Sequence, residues 1–190
     1  MNLTLVTGGA RSGKSRFAET LAAGAHLPVV YLATMELLDD EVRERANRHR
    51  LRRPADWQIV EEPRDVVAAL ERADRGALVL LDCVTLWITN LLVRRVDDFD
   101  AAPPHVWERS IAECLGEATR LIDCQSRRSG PLIAVTNEVG LGVVPETRAG
   151  RYFRDAAGLV NQELSRSADR VVFMVSGRPL DLAVGNGDVP

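Results

Sequence analysis

Short, wholly apolar runs alternate along this chain with longer stretches of helical periodicity. Its first run, "LTLV" at 3–6, reads as a buried strand, followed by a helix over 15–25. "PVVYLAT" (28–34) is a strand rich in β-branched residues, and 38–50 has helical spacing with no breaker. "WQIVE" (57–61) reads as a strand and 63–73 as a helix with a proline near its start. "ALVLLD" (77–82) is a continuous apolar strand closed by an aspartate; 85–95 is helical and 96–104 a loop suited to a mobile excursion. A long amphipathic helix is predicted over 105–128, then a strand over 131–138, a loop over 140–148, a helix over 150–168 and a last strand over 169–177. Strands apolar on both sides that alternate with helices imply a mainly parallel sheet with helices on both faces, an α/β fold. Residues 1–180 are expected to form one domain and 181–190 a loose tail. In such sheets ligands sit beyond the carboxyl ends of the strands.

Composition narrows the classes without choosing among them. The chain has 190 residues, enough for one core without staples, and 46% apolar content. It has no apolar run long enough to span a membrane, and its N-terminus lacks the pattern of a secretory signal. Three cysteines, Cys83, Cys114 and Cys124, share no metal-ligand spacing and suit reduced thiols in the cytoplasm. A formal charge of −3 and few aromatic residues argue against nucleic acid as a partner.

Chemistry enters with "GGARSGKS" at 8–15. Gly8, Gly13, Lys14 and Ser15 match GxxxxGK[ST], placed between a strand and a helix as a phosphate loop requires. Lys14 is the single lysine; the other 23 of the 24 Lys and Arg residues are arginines. Glycines let main-chain amides close around phosphate oxygens, and the helix N-terminus adds partial positive charge. In this motif the lysine reaches the β- and γ-phosphates, and Ser15 can ligate Mg²⁺. Asp82, closing an apolar strand, suits a second acidic partner near Mg²⁺; the alternative is an aspartate capping the next helix.

A second feature is an arginine-rich stretch, with Arg43, Arg45, Arg48, Arg50, Arg52 and Arg53 around His49. Leu38, Val42, Ala46 and His49 share a helical face, while Glu41–Arg45 and Glu44–Arg48 can pair along the surface. Spacing fits a salt-laced helix with one packed histidine. That is the reading the spacing favours; the alternative, which spacing does not exclude, is an imidazole that attacks phosphorus, with arginines offsetting the charge. Asn137 and Glu138 follow a buried strand and so reach the ligand edge. Arg154, Gly158, Asn161 and Gln162 share one helical face, a subunit contact or a substrate wall, with Gly158 suggesting close packing. Trp57, Trp87 and Trp107 read as core or interface residues, and His26 and His105 as structural or solvated.

With these motifs in hand, the chain resembles the bifunctional adenosylcobinamide kinase / adenosylcobinamide-phosphate guanylyltransferase family of cobalamin biosynthesis. The similarity lies in "LVTGGARSGKS" (5–15), "YLAT" (31–34), "DDEVRERANRHRLRRPADW" (39–57), "TNLL" (89–92), "VTNEVGLGVVPETRAGRYFRDAAGLVNQEL" (135–164) and "VVFMVSGRPL" (171–180). A phosphate loop alone is common to many NTPases. The pattern of His49, Arg53, Pro54 and Trp57, and "TNEVGLGVVP", are more specific. The resemblance implies a RecA-like P-loop subunit, a homotrimer, and two reactions. One moves a γ-phosphoryl from ATP or GTP to the aminopropanol hydroxyl of adenosylcobinamide. The other transfers GMP from GTP, carried covalently on a histidine that falls on His49, to give adenosyl-GDP-cobinamide. Implied nucleotide contacts are Gly8, Gly9, Ala10, Arg11, Ser12, Gly13, Lys14 and Ser15; Ala33, Thr34 and Met35; Arg50, Leu51, Arg52 and Arg53; Glu61; and Asp82. Asp82 stands where some relatives carry glutamate, and Met35 where a small polar residue is common. A single-activity P-loop kinase of another metabolite, and a nucleotide-gated interaction module, remain the competing readings of the residues alone.

Overall fold

Seven strands form one sheet in the order β3-β2-β4-β5-β1-β6-β7. They are β1 (Leu3–Gly8), β2 (Val29–Ala33), β3 (Gln58–Glu61), β4 (Leu78–Asp82), β5 (Leu132–Val135), β6 (Arg170–Val175) and β7 (Arg178–Leu182). Every neighbouring pair is parallel except β6 and β7, which form an antiparallel hairpin. The helices between them are α1 (Lys14–Gly24), α2 (Val66–Arg72), α3 (Val84–Arg95), α4 (Pro104–Ser126) and α5 (Arg148–Ser167). This computed structural model describes residues 2–36, 54–96, 98–99 and 101–182. The predicted helix over 38–50 lies outside the described residues.

The alternation of strand side chains divides the core into two layers. Leu3, Leu5, Val30, Leu32, Val79, Leu81, Leu132 and Ala134 face one way and pack with α2, α3, α4 and α5. Val6, Val29, Tyr31, Leu78, Leu80, Ile133 and Val135 face the other way, against Ala18 and Ala22 of α1. Both faces of the sheet are thus covered by helices, as runs apolar at every position require.

Three details depart from the sequence reading. Helix α2 starts after Pro63, with Asp65 at the N-cap position. Helix α5 starts two residues early because the Thr147 hydroxyl accepts from the Gly150 amide at 3.1 Å. Strand β7 was not expected, and it carries the sheet through Leu182 into the segment read as a loose tail. Ser176 and Gly177 join β6 to β7 with φ of 50° and 79°, the left-handed pair of a tight hairpin. In the expected mobile loop, Val96 and Ala102 are buried with Trp107, whose ring stacks on Tyr152 at 4.9 Å.

Candidate functional site

Because the strands run parallel, their carboxyl ends share one edge of the sheet. Register aligns Ala33 with both Glu61 and Asp82, and Asp82 with Val135. The phosphate loop leaves β1 at the same edge, with β5 between it and β4.

The loop has a fixed shape. Gly8 has φ 145°, and a Cβ there would lie 2.5 Å from the Met174 carbonyl oxygen. Gly13 has φ 98° and packs against Gly177 of the β6–β7 turn. Only glycine suits either position. The Ser12 amide donates to the Gly9 carbonyl at 3.3 Å, and the Gly177 amide donates to the Ser12 carbonyl at 2.9 Å. Arg11 itself stands at φ 55°. Gly9 and Ala10 are exposed at the crest, and the Gly9 Cα has open space beside it. Helix α1 begins at Lys14 with no side-chain cap, so its first-turn amides face the loop's interior as anion donors.

Lys14 is buried, and its Nζ donates to the Gly9 carbonyl at 2.7 Å. Burial holds its ammonium below the ordinary lysine pKa, while neighbouring Cys83 and Asp82 push it back up. Ser15 is half-buried one residue on. The buried Ser12 hydroxyl has no hydrogen-bond partner among the described residues.

Asp82 shares the α1 face with Leu78 and Leu80, four and two residues before it on β4. Its Oδ2 accepts from the Tyr31 hydroxyl at 2.6 Å. It does not cap α3: the N-cap position is Cys83, whose side chain makes no capping hydrogen bond among the described residues, and the Asp82 carboxylate is engaged by Tyr31. The capping alternative is therefore not realised, and Asp82 presents its carboxylate at the ligand edge on the side of Lys14. Burial and the adjacent Asp82 push the Cys83 thiol up to about 11.

Thr34 is fully buried on the opposite face, between β2 and α3. Its hydroxyl donates to the Cys83 carbonyl at 2.7 Å and accepts from the Cys83 amide at 2.9 Å. Asn90 donates to the Thr34 carbonyl and the Pro63 carbonyl, both at 2.8 Å. Ala33 and Met35 are half-buried and Glu61 is exposed. The sequence reading missed Tyr31 and Asn90; Tyr31 sits inside an apolar run, and only the fold brings it to Asp82. His49, Arg50, Leu51, Arg52 and Arg53 lie outside the described residues.

Beyond β5, the Glu138 amide donates to the Gly8 carbonyl at 3.0 Å, tying this segment to the start of the phosphate loop. Asn161 turns inward rather than forming a wall: its Oδ1 accepts from Thr136 and its Nδ2 donates to the Asn137 carbonyl. Among the described residues nothing outside its own helix lies within 4 Å of a Cβ built at Gly158, so the close packing expected there is not found among them. Trp57, Trp87 and Trp107 are buried, while His26 and His105 are exposed. Among the described residues no three His, Cys, Asp or Glu side chains gather to hold a metal ion. A Mg²⁺ ion held largely by phosphate oxygens needs only one or two protein oxygens, and the Ser15 hydroxyl and Asp82 carboxylate fit that donor set. Among the described residues no helix is long and apolar enough to cross a membrane.

A glycine-shaped loop that joins a buried parallel strand to an uncapped helix, opposite a strand-end aspartate, defines a P-loop nucleotide-binding α/β protein. Within that class the chain belongs to the family described as cobinamide kinase / cobinamide phosphate guanyltransferase, whose profile matches residues 4–182. It is 42% identical over 183 residues to the bifunctional adenosylcobalamin biosynthesis protein CobP of Pseudomonas aeruginosa, covering 94% of this chain and 95% of that one. It is 43% identical over 178 residues to the bifunctional adenosylcobalamin biosynthesis protein CobU of Escherichia coli K12, covering 92% and 96%. To its counterpart from Salmonella typhimurium it is 44% identical over 179 residues, again covering 92% and 96%. Among solved structures, the RadB recombinase aligns with a TM-score of 0.48 at 14% identity, over 90% of this chain and 73% of that one. An ATPase of a bacterial type III secretion system gives the same score and identity, over 90% and 50%.

Proposed function

We propose that this chain phosphorylates adenosylcobinamide on its aminopropanol hydroxyl and then transfers GMP from GTP to the resulting phosphate, releasing pyrophosphate and forming adenosyl-GDP-cobinamide. The observation that carries the reading is family membership along nearly the whole chain, together with an intact phosphate loop facing Asp82. The loop amides, the start of α1 and Lys14 would hold the triphosphate tail, with Gly8, Gly9, Ala10, Arg11, Ser12, Gly13 and Ser15 around it. Ala33, Thr34, Met35, Glu61 and Asp82 border the nucleotide further along the edge. Thr34 acts through its grip on Cys83, since its hydroxyl is committed there.

In the first reaction, Lys14 moves from the Gly9 carbonyl to the β- and γ-phosphate oxygens and offsets charge as the γ-phosphoryl leaves. Ser15 and Asp82 would hold a Mg²⁺ ion that neutralises phosphate charge when bound. In the second, His49 attacks the α-phosphorus, pyrophosphate departs, and the phosphorylated substrate then displaces the histidine. Arg50, Leu51, Arg52 and Arg53 would meet the nucleotide beside it. Assembly as a homotrimer and a cytoplasmic location belong to the same reading.

Mass spectrometry of the corrinoid tests it. With adenosylcobinamide, Mg²⁺ and ATP or GTP, the purified protein should yield the phosphate; adding GTP should carry it on to the GDP derivative. A folded, nucleotide-binding protein that makes neither product would be a P-loop protein of another kind.

A further inference from the structure

The segment after β5 is held with unusual completeness. The Asn137 amide donates to the Thr85 hydroxyl at 2.6 Å. Thr136 donates to Asn161 Oδ1 at 2.7 Å, so in the 3.2 Å contact between the Thr85 and Thr136 hydroxyls the donor is Thr85. Asn161 Nδ2 closes the ring by donating to the Asn137 carbonyl at 3.1 Å. Both polar groups of the Asn137 main chain are thereby fixed.

The Asn137 side chain takes no part in the ring, and it makes no hydrogen bond among the described residues. Its direction follows from the sheet. Amides of Leu132, Thr136 and Glu138 donate to the carbonyls of Asn2, Val6 and Gly8, so the β5–β1 ladder keeps one register through Glu138. Alternation then sets Asn137 with Ile133 and Val135, on the α1 face. Thr136 confirms the phase, since its hydroxyl reaches α3 and α5 on the other face. Asn137 therefore stands on the face that carries Lys14 and Asp82. It is one strand from the phosphate loop and one strand from Asp82, about 4.8 Å sideways in each direction.

We propose that Asn137 is a further catalytic residue of phosphoryl transfer, its side-chain amide donating a hydrogen bond to an equatorial oxygen of the γ-phosphoryl group in flight. Resting on the function proposed above, this inference adds a contact between the two charged partners, where Lys14 and a metal would otherwise act alone. As the substrate hydroxyl oxygen bonds to phosphorus, the bridging β–γ P–O bond breaks and its electron pair stays on the departing diphosphate. The hydroxyl proton goes to solvent; Asn137 neither takes nor supplies one. The Thr85–Thr136–Asn161 ring is the positioning device, since it fixes the main chain from which the amide projects. Glu138 does not take this place: by the same alternation its side chain points with Thr136 to the other face, and its Oε1 accepts from the Gly140 amide at 2.6 Å.

The test uses the full chain with adenosylcobinamide, Mg²⁺ and ATP, comparing wild type with Asn137→Ala and Asn137→Asp. Asn137→Asp preserves shape but replaces the donor with a negative charge, and circular dichroism checks that each variant is folded. At saturating ATP the phosphorylation rate is expected to fall about 100-fold in Asn137→Ala and at least as far in Asn137→Asp, the typical loss for one transition-state donor. The Kd for ATP is expected to stay within about threefold of wild type in Asn137→Ala, because the contact matures only as charge develops. Folded variants that keep the saturated rate within about threefold, or whose defect lies wholly in Kd, overturn the inference while leaving the function intact. Wild-type protein that makes no phosphorylated corrinoid overturns both.

Discussion

Lys14 carries the sharpest conflict between stability and function at the level of single residues. Its ammonium is buried, held below its ordinary value of 10.5 by desolvation, and tethered to the Gly9 carbonyl. An unfolded chain keeps this proton to about 10.5, whereas the folded, nucleotide-free protein releases it earlier. Between the two values the unfolded state binds more protons, so this group's contribution to stability rises with pH through that window. A bound triphosphate reverses the preference by favouring the charged form. ATP affinity is therefore expected to fall as pH climbs toward 10.5, with proton uptake on binding, measured by calorimetry in two buffers of different ionisation enthalpy. Lys14→Ala should abolish both this linkage and both reactions. Gly8→Ala should also lose nucleotide binding, because its φ is 145° and its new methyl would meet the Met174 carbonyl; a denaturant titration alongside the binding assay reads both effects.

At the level of elements, the sheet edge is joined by polar contacts that no single segment contains. Thr136→Val removes one hydroxyl from the closed ring and leaves Asn161 Oδ1 without its donor. That should cost about 1–3 kcal/mol in urea unfolding, the range for stranding a buried polar group. Pairing it with Thr85→Val should give a loss smaller than the sum, since both act in one network. Much of the element order was legible beforehand. Short unbroken apolar runs such as "ALVLL", alternating with longer helical stretches, read as strands buried on both sides, and the glycine–lysine–serine signature marked where α1 begins. Strand β7 escaped because "RPLDL" is exposed throughout and opens beside a proline, so it buries no apolar face that could reveal it. Its signal was the Ser176–Gly177 pair, a two-residue hairpin turn. The polar ring escaped for a different reason: Thr85, Thr136 and Asn161 are brought together by tertiary folding, with Thr136 separated from its partners by 51 and 25 positions.

At the scale of the whole molecule, the phosphate loop and Asp82 share one edge of a single sheet, so ligand binding there is expected to be coupled to fold stability. A nucleotide present at 100 times its Kd should stabilise the wild-type fold by about 2.7 kcal/mol, seen as a rise in Tm, and should not move Lys14→Ala. The three cysteines are buried, and burial pushes Cys83 to about 11 and Cys114 to about 12. Native protein should therefore react slowly with thiol reagents until it unfolds. Asp82 and the phosphate loop were legible as a pair from sequence, since strand ends in a parallel sheet must share an edge. Placing Asp82 on the α1 face, with Tyr31 donating to it, required the fold. In the proposed second reaction the phosphate loop holds GTP while His49 takes up its GMP. Incubation with α-labelled GTP, followed by acid and base treatment of the denatured protein, tests this most directly. An acid-labile, base-stable label that is present in wild type and lost in His49→Ala is the predicted result, with phosphorylation of the corrinoid partly retained in that variant. No label on active protein, or a label that persists in His49→Ala, would contradict it.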